Sequence, residues 1–233
     1  ITTALCRQYA AKRAKAKRKP GTIWTELNHL RIVTNWARKV RLITEPTAIE
    51  LPRKPPPRDK RLTRAEARAL IDAAEPGHIR LAIVLMLTTA ARSGAILDLT
   101  WDRVDFERGQ IMYADPEDDA HRKGRATVPM NNLARTELEA AQKVALSEYV
   151  VEWAGRKVGS IKRGFAASVE RAGLSGVTPH ILRHTAASLM AESGTPMDEI
   201  AQYLGHSDPG ITFKVYARFS PGHLKKASAA LEF

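Results

Sequence analysis

The sequence predicts a mainly α-helical protein with a small antiparallel β-sheet, divided into a basic helical domain and a larger α+β domain. Apolar residues recur at helical spacing over much of the chain. Three short segments between residues 104 and 129 have the composition of strands joined by tight turns. A chain of 233 residues is also long enough to bury a real core in one large or two smaller domains.

Residues 1–52 are predicted to form the helical domain. The segment 1–19 is rich in alanine and basic residues, which favours helix, and Pro20-Gly21 interrupts it. From Thr22 to about Val40 a second helix is expected, with one apolar stripe of Ile23, Leu27, Leu30, Val33, Ala37 and Val40. The chain begins with Ile1 rather than methionine, so we expect this domain to be truncated at its start.

The positive charge of the chain is concentrated in the same region. The formal net charge is +12, and residues 1–62 carry 16 lysines and arginines against four acids, whereas residues 63–233 carry 21 of each. Such a localised basic field favours a polyanionic partner, above all nucleic acid. The alternative is a solvated, partly disordered basic arm.

A proline-rich segment separates the two domains. The run from Leu51 to Arg58 contains four prolines and fits neither a helix nor a central strand, so residues 53–60 are predicted to be a semi-extended basic linker. The second domain, residues 61–233, then starts with Thr63-Arg64-Ala65-Glu66, which fits a capping box. Helices are expected from there to about Ala74 and from about 78 to 91.

The rest of the second domain is predicted from turn signals and apolar pattern. Short strands are expected at 104–106, 110–113 and 126–129, with turns at Arg108-Gly109 and near Lys123-Gly124. The remainder, from about 133 to 230, is expected to be mostly helical and broken by glycines and Pro221.

Cysteine content and hydropathy limit the class of protein. Cys6 is the only cysteine, which excludes an intrachain disulfide and a multi-cysteine zinc site, and fits a reducing cytoplasm. No apolar run reaches the roughly 20 residues that span a bilayer, and no signal peptide is apparent. The longest apolar stretch, Leu81 to Leu87, has the length of a core helix. We therefore expect a cytoplasmic protein with no membrane partner.

The segment from Thr178 to Thr185, Thr-Pro-His-Ile-Leu-Arg-His-Thr, carries the most informative polar pattern. Proline near a helix start, followed by apolar residues, predicts a helix with one buried side. His180, Arg183 and His184 then share one face at i, i+3 and i+4. An arginine there is costly to bury without an anion, and no acid follows before residue 192. The missing anion is then expected to be a ligand.

Three further polar residues each have an ordinary structural interpretation when taken alone. Arg92 follows the predicted end of a buried helix and would cap its carbonyl groups. His206, in Leu-Gly-His-Ser, would be a turn histidine, and Tyr216, in Phe-Lys-Val-Tyr, would be a core tyrosine. For each residue by itself this structural interpretation is the stronger one.

Taken together, these residues stand in an order that resembles the tyrosine recombinases, also called phage integrases. The order is Arg92, a lysine in a β-turn, His180-x-x-Arg183, then Gly205-His206, then Tyr216. The resemblance covers nearly the whole chain. Residues 1–52 are similar to the family's helical core-binding domain, and residues 61–233 are similar to its α+β catalytic domain.

The resemblance implies a site-specific DNA recombinase, an integrase that cleaves and rejoins DNA through a 3′-phosphotyrosyl intermediate without metal, cofactor or external energy. Tyr216 would attack, Arg92 and Arg183 would clamp the nonbridging oxygens, His180 would be the general base and His206 would hydrogen-bond the phosphate. The implied partners are double-stranded DNA and further copies of the chain. A homotetramer on two DNA sites would cut pairwise through a Holliday junction.

The hairpin lysine of the family, which protonates the 5′-oxygen leaving group, has two candidates in this chain. Lys123 is the only lysine in the predicted hairpin and is our assignment. Many relatives place theirs about two residues further from the following proline, where His121 stands, so His121 is the alternative acid or phosphate contact.

Four other parts of the chain also receive an assignment. Ala95 replaces a glutamate that the family often has three residues after the first arginine, a loss for which Asp98 is the expected compensation. His184 is assigned to helix structure rather than to phosphate contact, and Trp101 to core packing. The segment 221–233 has apolar residues at helical spacing, which would pack on a neighbouring protomer or fold back on their own domain.

Two other classes of protein fit part of this pattern. A type IB topoisomerase uses similar chemistry but relaxes supercoils as a monomer, and the His180-x-x-Arg183 box favours a recombinase. A DNA-binding protein without catalysis is the non-enzymatic alternative. Against it stands the complete set of Arg92, His180, Arg183, His206 and Tyr216, since binding alone needs no positioned tyrosine.

Overall fold

The computed structural model describes residues 1–46, 48–53, 59–114, 126–229 and 231–232, without the side chains of residues 226 and 227. The chain divides into two compact units, Ile1–Asp59 and Lys60–Phe233. Within the described residues it is mostly helical with small antiparallel sheets, which confirms the predicted fold class. In the same residues, every helix is too short or too polar to cross a bilayer.

The first unit contains two helices, α1 (Thr3–Lys15) and α2 (Pro20–Lys39). Pro20 stands in the first turn of α2, where a missing N–H costs nothing, so this proline begins the second helix as well as ending the first. Cys6, Ile23 and Leu27 form a small buried cluster between the two helices, with four half-buried residues around it.

Only the first half of the predicted apolar stripe of α2 is buried. Val33 is 57% exposed and Val40 is 45% exposed. A helix of 13 residues, such as α1, is about 20 Å long, whereas the 20 residues of α2 extend over about 30 Å. The shorter helix therefore leaves the far end of the stripe uncovered within this unit.

The second unit contains most of the secondary structure. Its helices are α3 (Arg64–Asp72), α4 (Gly77–Thr89), α5 (Ser93–Leu97), α6 (Asn132–Gln142), α7 (Lys162–Arg171), α8 (Pro179–Glu192), α9 (Met197–Leu204), α10 (Pro209–Tyr216) and α11 (Lys225–Ala229). Its strands are β1 (Val104–Asp105), β2 (Gln110–Met112), β3 (Thr127–Pro129), β4 (Glu152–Trp153) and β5 (Arg156–Lys157).

Helix α4 is the centre of this unit. Every residue from Leu81 to Met86 is at most 3% exposed, because α4 packs against α3, α5, α6, α7 and α8. A helix that is apolar on all sides is expected to be surrounded in this way. The core helix predicted from the apolar stretch is thus confirmed, and so is the capping box formed by Thr63 and Glu66 at the start of α3.

The predicted sheet is present as β1-β2-β3, antiparallel throughout. Ile111 of β2 pairs with Val104 of β1 and with Val128 of β3, and these apolar residues face the core while Gln110 and Met112 are exposed. The chain turns at Gly109, whose φ of +64° favours glycine. The predicted turn near residues 123–124 lies outside the described residues.

A second hairpin, β4-β5, was not predicted. Its two strands have two residues each and pair through Trp153 with Arg156. Ala154 and Gly155 connect them, both with positive φ, as a tight hairpin turn requires. Strands this short and polar carry no alternation of apolar residues, so pattern reasoning assigned the region to helices and loops.

Candidate active site

Helix α8 carries the His-x-x-Arg motif, and its sequence explains its burial. Pro179 occupies the first turn, and Ile181 and Leu182 face the main core. Further along, Ala186, Ala187 and Ala191 face a second cluster that includes residues of α9 and α10. These small side chains let the neighbouring helices approach closely. The polar residues of the motif are therefore brought against α9, α10 and the end of α4.

Arg183 is only 4% exposed, and backbone carbonyl groups hold it in place. It donates from Nη1 to the carbonyl oxygen of Ala90 and from Nη2 to that of Leu204, each at 2.7 Å. Within the described residues no carboxylate forms a salt bridge with it. Burial, and then the charge of Arg92, lower its pKa to about 10. The guanidinium is thus held without being neutralised by an acid.

The turn that carries Arg92 is fixed by contacts at both ends. Ala90 is fully buried and has a φ of +53°, an uncommon conformation for a residue with a Cβ. Its carbonyl group is the one that Arg183 contacts. Tyr203 of α9 donates to the carbonyl oxygen of Thr88 at 2.9 Å, just before the turn. Arg92 follows at the N-cap position of α5 and is exposed.

His206 is held in one tautomer by its two neighbours. It follows Gly205, which ends α9 with a φ of +63°. Its Nε2 lies 3.1 Å from Nη2 of Arg183, and since arginine only donates, Nε2 must be the acceptor. The ring proton then lies on Nδ1, which donates to Oγ1 of the fully buried Thr212 at 2.7 Å. Desolvation, and then Arg183 and Arg92, lower the pKa of His206.

His180 lies in the first turn of α8 and is exposed. Its pKa is lowered by desolvation, and then by the charges of Arg183 and Arg92. The same two arginines act on His206. One electrostatic environment is therefore shared by residues from three separate segments of the chain: Arg92, His180 with Arg183, and His206.

Tyr216 is the last residue of α10 and is 7% exposed. Its ring belongs to the second cluster, with Ala90 and Leu204. Burial raises the pKa of the phenol, and the charge of Arg183 partly opposes that rise. The interpretation of Tyr216 as a core tyrosine is thus correct for its ring, while its hydroxyl lies close enough to Arg183 for the two groups to interact.

Two residues near the site were not predicted to contact it. Nδ1 of His184, which we had assigned to helix structure, lies 3.3 Å from the Tyr216 hydroxyl oxygen. Thr212 holds the ring of His206. Nothing in the sequence marks Thr212, since a threonine four residues before a tyrosine is commonplace, whereas His184 was visible on the same helix face as Arg183.

The remaining sequence assignments have mixed outcomes. Lys123 and His121 both lie outside the described residues. Trp101 packs against the main core, as predicted. Ala95 is 5% exposed inside α5, and the carboxylate of Asp98 accepts from Nζ of Lys157 at 2.8 Å. Asp98, the acid that was expected to compensate for Ala95, is thus paired with Lys157 of the β4-β5 hairpin.

The shared environment predicts a response of both histidines to the charge of Arg92. In the protein without DNA, we expect the pKa of His180 and of His206 to lie below the ordinary 6.5. Arg92→Gln should raise both values, because it removes a positive neighbour. The pKa of His78, which burial alone lowers, should not change. Titration of the imidazole resonances by NMR measures all three values, and an unmoved His206 would contradict the arrangement.

The same shifts give a sign for the pH dependence of stability. Since these histidines bind protons less readily in the folded than in the unfolded chain, their contribution is fully present above pH 6.5. It is lost as the pH falls through the lower, folded pKa values. The melting temperature should therefore fall with acidification over this window, and it should fall less steeply in Arg92→Gln.

Comparison with known proteins assigns the family. The model of the phage integrase family matches residues 60–223. An integrase of Streptomyces ambofaciens is 29% identical over 193 residues, which is 68% of this chain and 49% of that protein. The chain thus spans about half the length of this curated relative.

Solved structures agree on the fold. The Tn1549 transposon integrase in complex with a circular intermediate DNA superimposes with a TM-score of 0.81 at 17% identity, covering 99% of this chain and 86% of that one. A lambda integrase tetramer bound to a Holliday junction gives a TM-score of 0.71 at 21% identity, covering 90% and 65%. With the family model matching well over half of its residues, the chain belongs to the phage integrase family, the tyrosine recombinases.

Proposed function

We propose that this chain is the DNA-cleaving and DNA-joining part of a site-specific recombinase that acts through a tyrosine nucleophile. The observation that carries the proposal is the state of Arg183. It is buried, held by two carbonyl groups and by His206, not neutralised by a carboxylate in the described structure, and close to both Arg92 and Tyr216. Such a charge is expensive unless an anion enters the site, and a DNA phosphate is the anion that a tyrosine would attack.

The proposed reaction balances without a cofactor. The Tyr216 oxygen attacks phosphorus, and the bond from phosphorus to the 5′-oxygen breaks. The phenol proton passes to His180, and the leaving oxygen takes a proton from Lys123 or His121. Arg92 and Arg183 stabilise the negative charge that develops on the nonbridging oxygens. A 5′-hydroxyl then reverses the steps, and the phosphotyrosyl bond retains the energy for rejoining.

His206 requires a change of hydrogen bonding to contact the phosphate. Its Nε2 accepts from Arg183, so that nitrogen carries no proton to offer an oxyanion. A bound phosphate counteracts the positive charges of Arg183 and Arg92 that lower the pKa of His206. Phosphate binding therefore favours proton uptake at Nε2, and the imidazolium then bridges Thr212 and the phosphate.

The acid is tested by changing the leaving group. Lys123→Ala should slow formation of the covalent adduct by roughly a hundredfold, the usual size of a general-acid contribution. A substrate with sulfur in place of the bridging 5′-oxygen should restore the rate, because a thiolate leaves without a proton. His121→Ala is the matched comparison and should lose little. Loss and thiol rescue in His121→Ala instead would assign the acid to that residue.

The first unit supplies the charge expected for DNA affinity. At the junction of α1 and α2, Lys15, Lys17, Arg18 and Lys19 are all exposed. Arg7 and Arg13, by contrast, pair with Glu50 and Glu26. Phosphate contacts from the exposed group would make binding weaken steeply with salt. Because the substrate is double-stranded DNA, we place the reaction in the cytoplasm.

A homotetramer on two DNA sites is the proposed assembly. Leu224 and Leu231, at the two ends of the α11 segment, are each 68% exposed. They are not buried against their own unit, which favours contact with a neighbouring protomer over the alternative in which the segment folds back. The lambda integrase structure is likewise a tetramer bound to a Holliday junction.

A junction assay separates this function from the type IB topoisomerase. A recombinase should exchange strands between two target duplexes and resolve a synthetic Holliday junction, whereas a topoisomerase should only relax a supercoiled plasmid. The target duplex is found by sequencing the DNA that becomes attached to Tyr216. Relaxation without junction resolution on that sequence would refute the recombinase assignment.

A further inference from the structure

In the described structure the Tyr216 hydroxyl lies within hydrogen-bond distance of His184. The oxygen lies 3.3 Å from Nδ1, and the two ring centroids are 5.3 Å apart at 40°. This distance is long for a hydrogen bond between these atoms, as is common for catalytic contacts before substrate binds. His180, which the resemblance makes the base towards Tyr216, is exposed and one turn away on the same helix.

The surroundings of the phenol explain why this contact matters. Alanine, isoleucine and leucine side chains make up the rest of the buried cluster around Tyr216, so they offer its hydroxyl no partner. A buried hydroxyl without a partner is costly, which means that the ring would tend to leave the cluster if the imidazole were replaced by a hydrocarbon. Helix α10 has only eight residues, and Phe213, Lys214 and Val215 before Tyr216 are exposed, although Ala217 after it is buried. The turn that precedes Tyr216 is therefore lightly packed.

The imidazole is itself held in place from its other side. The Phe219 ring meets it edge-on, with centroids 6.3 Å apart. The guanidinium of Arg61 lies over the same phenyl ring at 4.5 Å and pairs with Glu192 at the end of α8. Next to Arg61, the N–H of Leu62 donates to Thr185 at 2.9 Å. The ring of His184 is thus clamped between Tyr216 and a phenylalanine that is anchored to α8.

We propose that His184 is a positioning residue for the nucleophile: its Nδ1 accepts the hydrogen bond of the Tyr216 hydroxyl and keeps the phenol beside Arg183. This role rests on the proposed function of Tyr216 and adds a second histidine of α8 to the machinery. In this arrangement, before DNA binds, the hydroxyl proton points towards His184. For the proton to pass to His180 during the attack, the hydroxyl rotates towards that residue, one turn away on the same helix. His184 acts through Tyr216 and does not contact DNA.

The first test needs no DNA. Tetranitromethane modifies tyrosines according to their exposure, and peptide mass spectrometry follows each one separately. In the wild-type protein Tyr216 should react slowly, like the buried Tyr113, while Tyr9, which is 41% exposed, reacts fast. In His184→Phe the nitration of Tyr216 alone should become several-fold faster. In His184→Asn, whose amide oxygen can replace Nδ1 as acceptor, it should stay slow. Equal nitration of Tyr216 in all three proteins would overturn the proposal.

The second test measures adduct formation on a suicide substrate in a single turnover at saturating DNA. His184→Phe should slow the reaction roughly tenfold to a hundredfold, with DNA affinity unchanged, and His184→Asn should recover most of the rate. His78→Phe is the matched control, since His78 also stacks on an aromatic ring but lies at the opposite end of α4. Its rate should equal that of the wild type.

Each remaining outcome has a definite meaning. An unchanged rate of adduct formation in His184→Phe would overturn the positioning role, because the His184 contact would then not affect the nucleophile. A faster rate would also overturn it, because the contact would then restrain the nucleophile. If His184→Asn were as slow as His184→Phe in adduct formation and as fast in nitration, the hydrogen bond would not be the cause, and the proposal would fail. A wild-type protein that forms no adduct while the nitration contrast appears would refute the proposed function and still support the contact.

Discussion

Tyr216→Phe should bind DNA with unchanged affinity and form no covalent adduct on a suicide substrate. The substitution removes one oxygen from a ring that is 7% exposed and otherwise packed in an apolar cluster, so the fold should be retained. Without the phenol oxygen there is no nucleophile, and the rate should fall by more than about a thousandfold, to below detection. Denaturing gels that separate free from protein-linked DNA measure the adduct.

A second tyrosine provides the control for this experiment. Tyr149 is half-buried in the same unit, where its ring lies 5.1 Å from Nζ of Lys157. Tyr149→Phe should therefore form adduct at the wild-type rate. An adduct of unchanged yield in Tyr216→Phe would move the nucleophile to another residue and remove the basis of the proposed mechanism.

Arg183→Lys should lower the rate of adduct formation by roughly a hundredfold to a thousandfold, although it keeps the positive charge. Lysine has no planar fork, so it does not reproduce the donors to Ala90 and Leu204 while also presenting an N–H to a phosphate. The turn that carries Arg92 loses one of its attachments as well. We therefore expect a loss larger than that of one hydrogen bond to the transition state.

The same substitution should also destabilise the fold, by about 1–3 kcal/mol, because a buried carbonyl group loses its donor. Arg103→Lys is the matched control. Arg103 is 6% exposed and donates to Oγ1 of Thr100 at 3.0 Å and to the carbonyl oxygen of Asp98, but it lies outside the candidate site. It should lose comparable stability in urea denaturation and keep its cleavage rate. If Arg183→Lys and Arg103→Lys lost the same amount of cleavage rate, general destabilisation would account for the effect, and not the loss of the contacts that Arg183 makes to the phosphate.

The sequence pattern was sufficient to predict the helices and strands whose own residues carry a clear local signal. The all-apolar run in α4, the capping box of α3 and the alternation in β2 and β3 each signal an element within a few residues. The same reasoning failed where a local signal was too short or needed a partner. Strands β4 and β5 have two residues each, and the far half of the α2 stripe has no helix of its own unit to cover it.

By itself, the order of Arg92, His180, Arg183, His206 and Tyr216 in the sequence determined the family and the kind of chemistry to look for. The tertiary structure alone decided what each of these side chains contacts. Arg183 reaches carbonyl groups 93 and 21 residues away, and the phenol of Tyr216 meets a histidine 32 residues away.

The physical reason is that a helix determines neighbours at i+3 and i+4, whereas a buried polar group takes its partner from whichever elements pack against it. For this reason His180, Arg183 and His184 were correctly placed on one helix. Only the packing of α8 against α4, α9 and α10 assigned the two carbonyl oxygens to Arg183 and the phenol to His184.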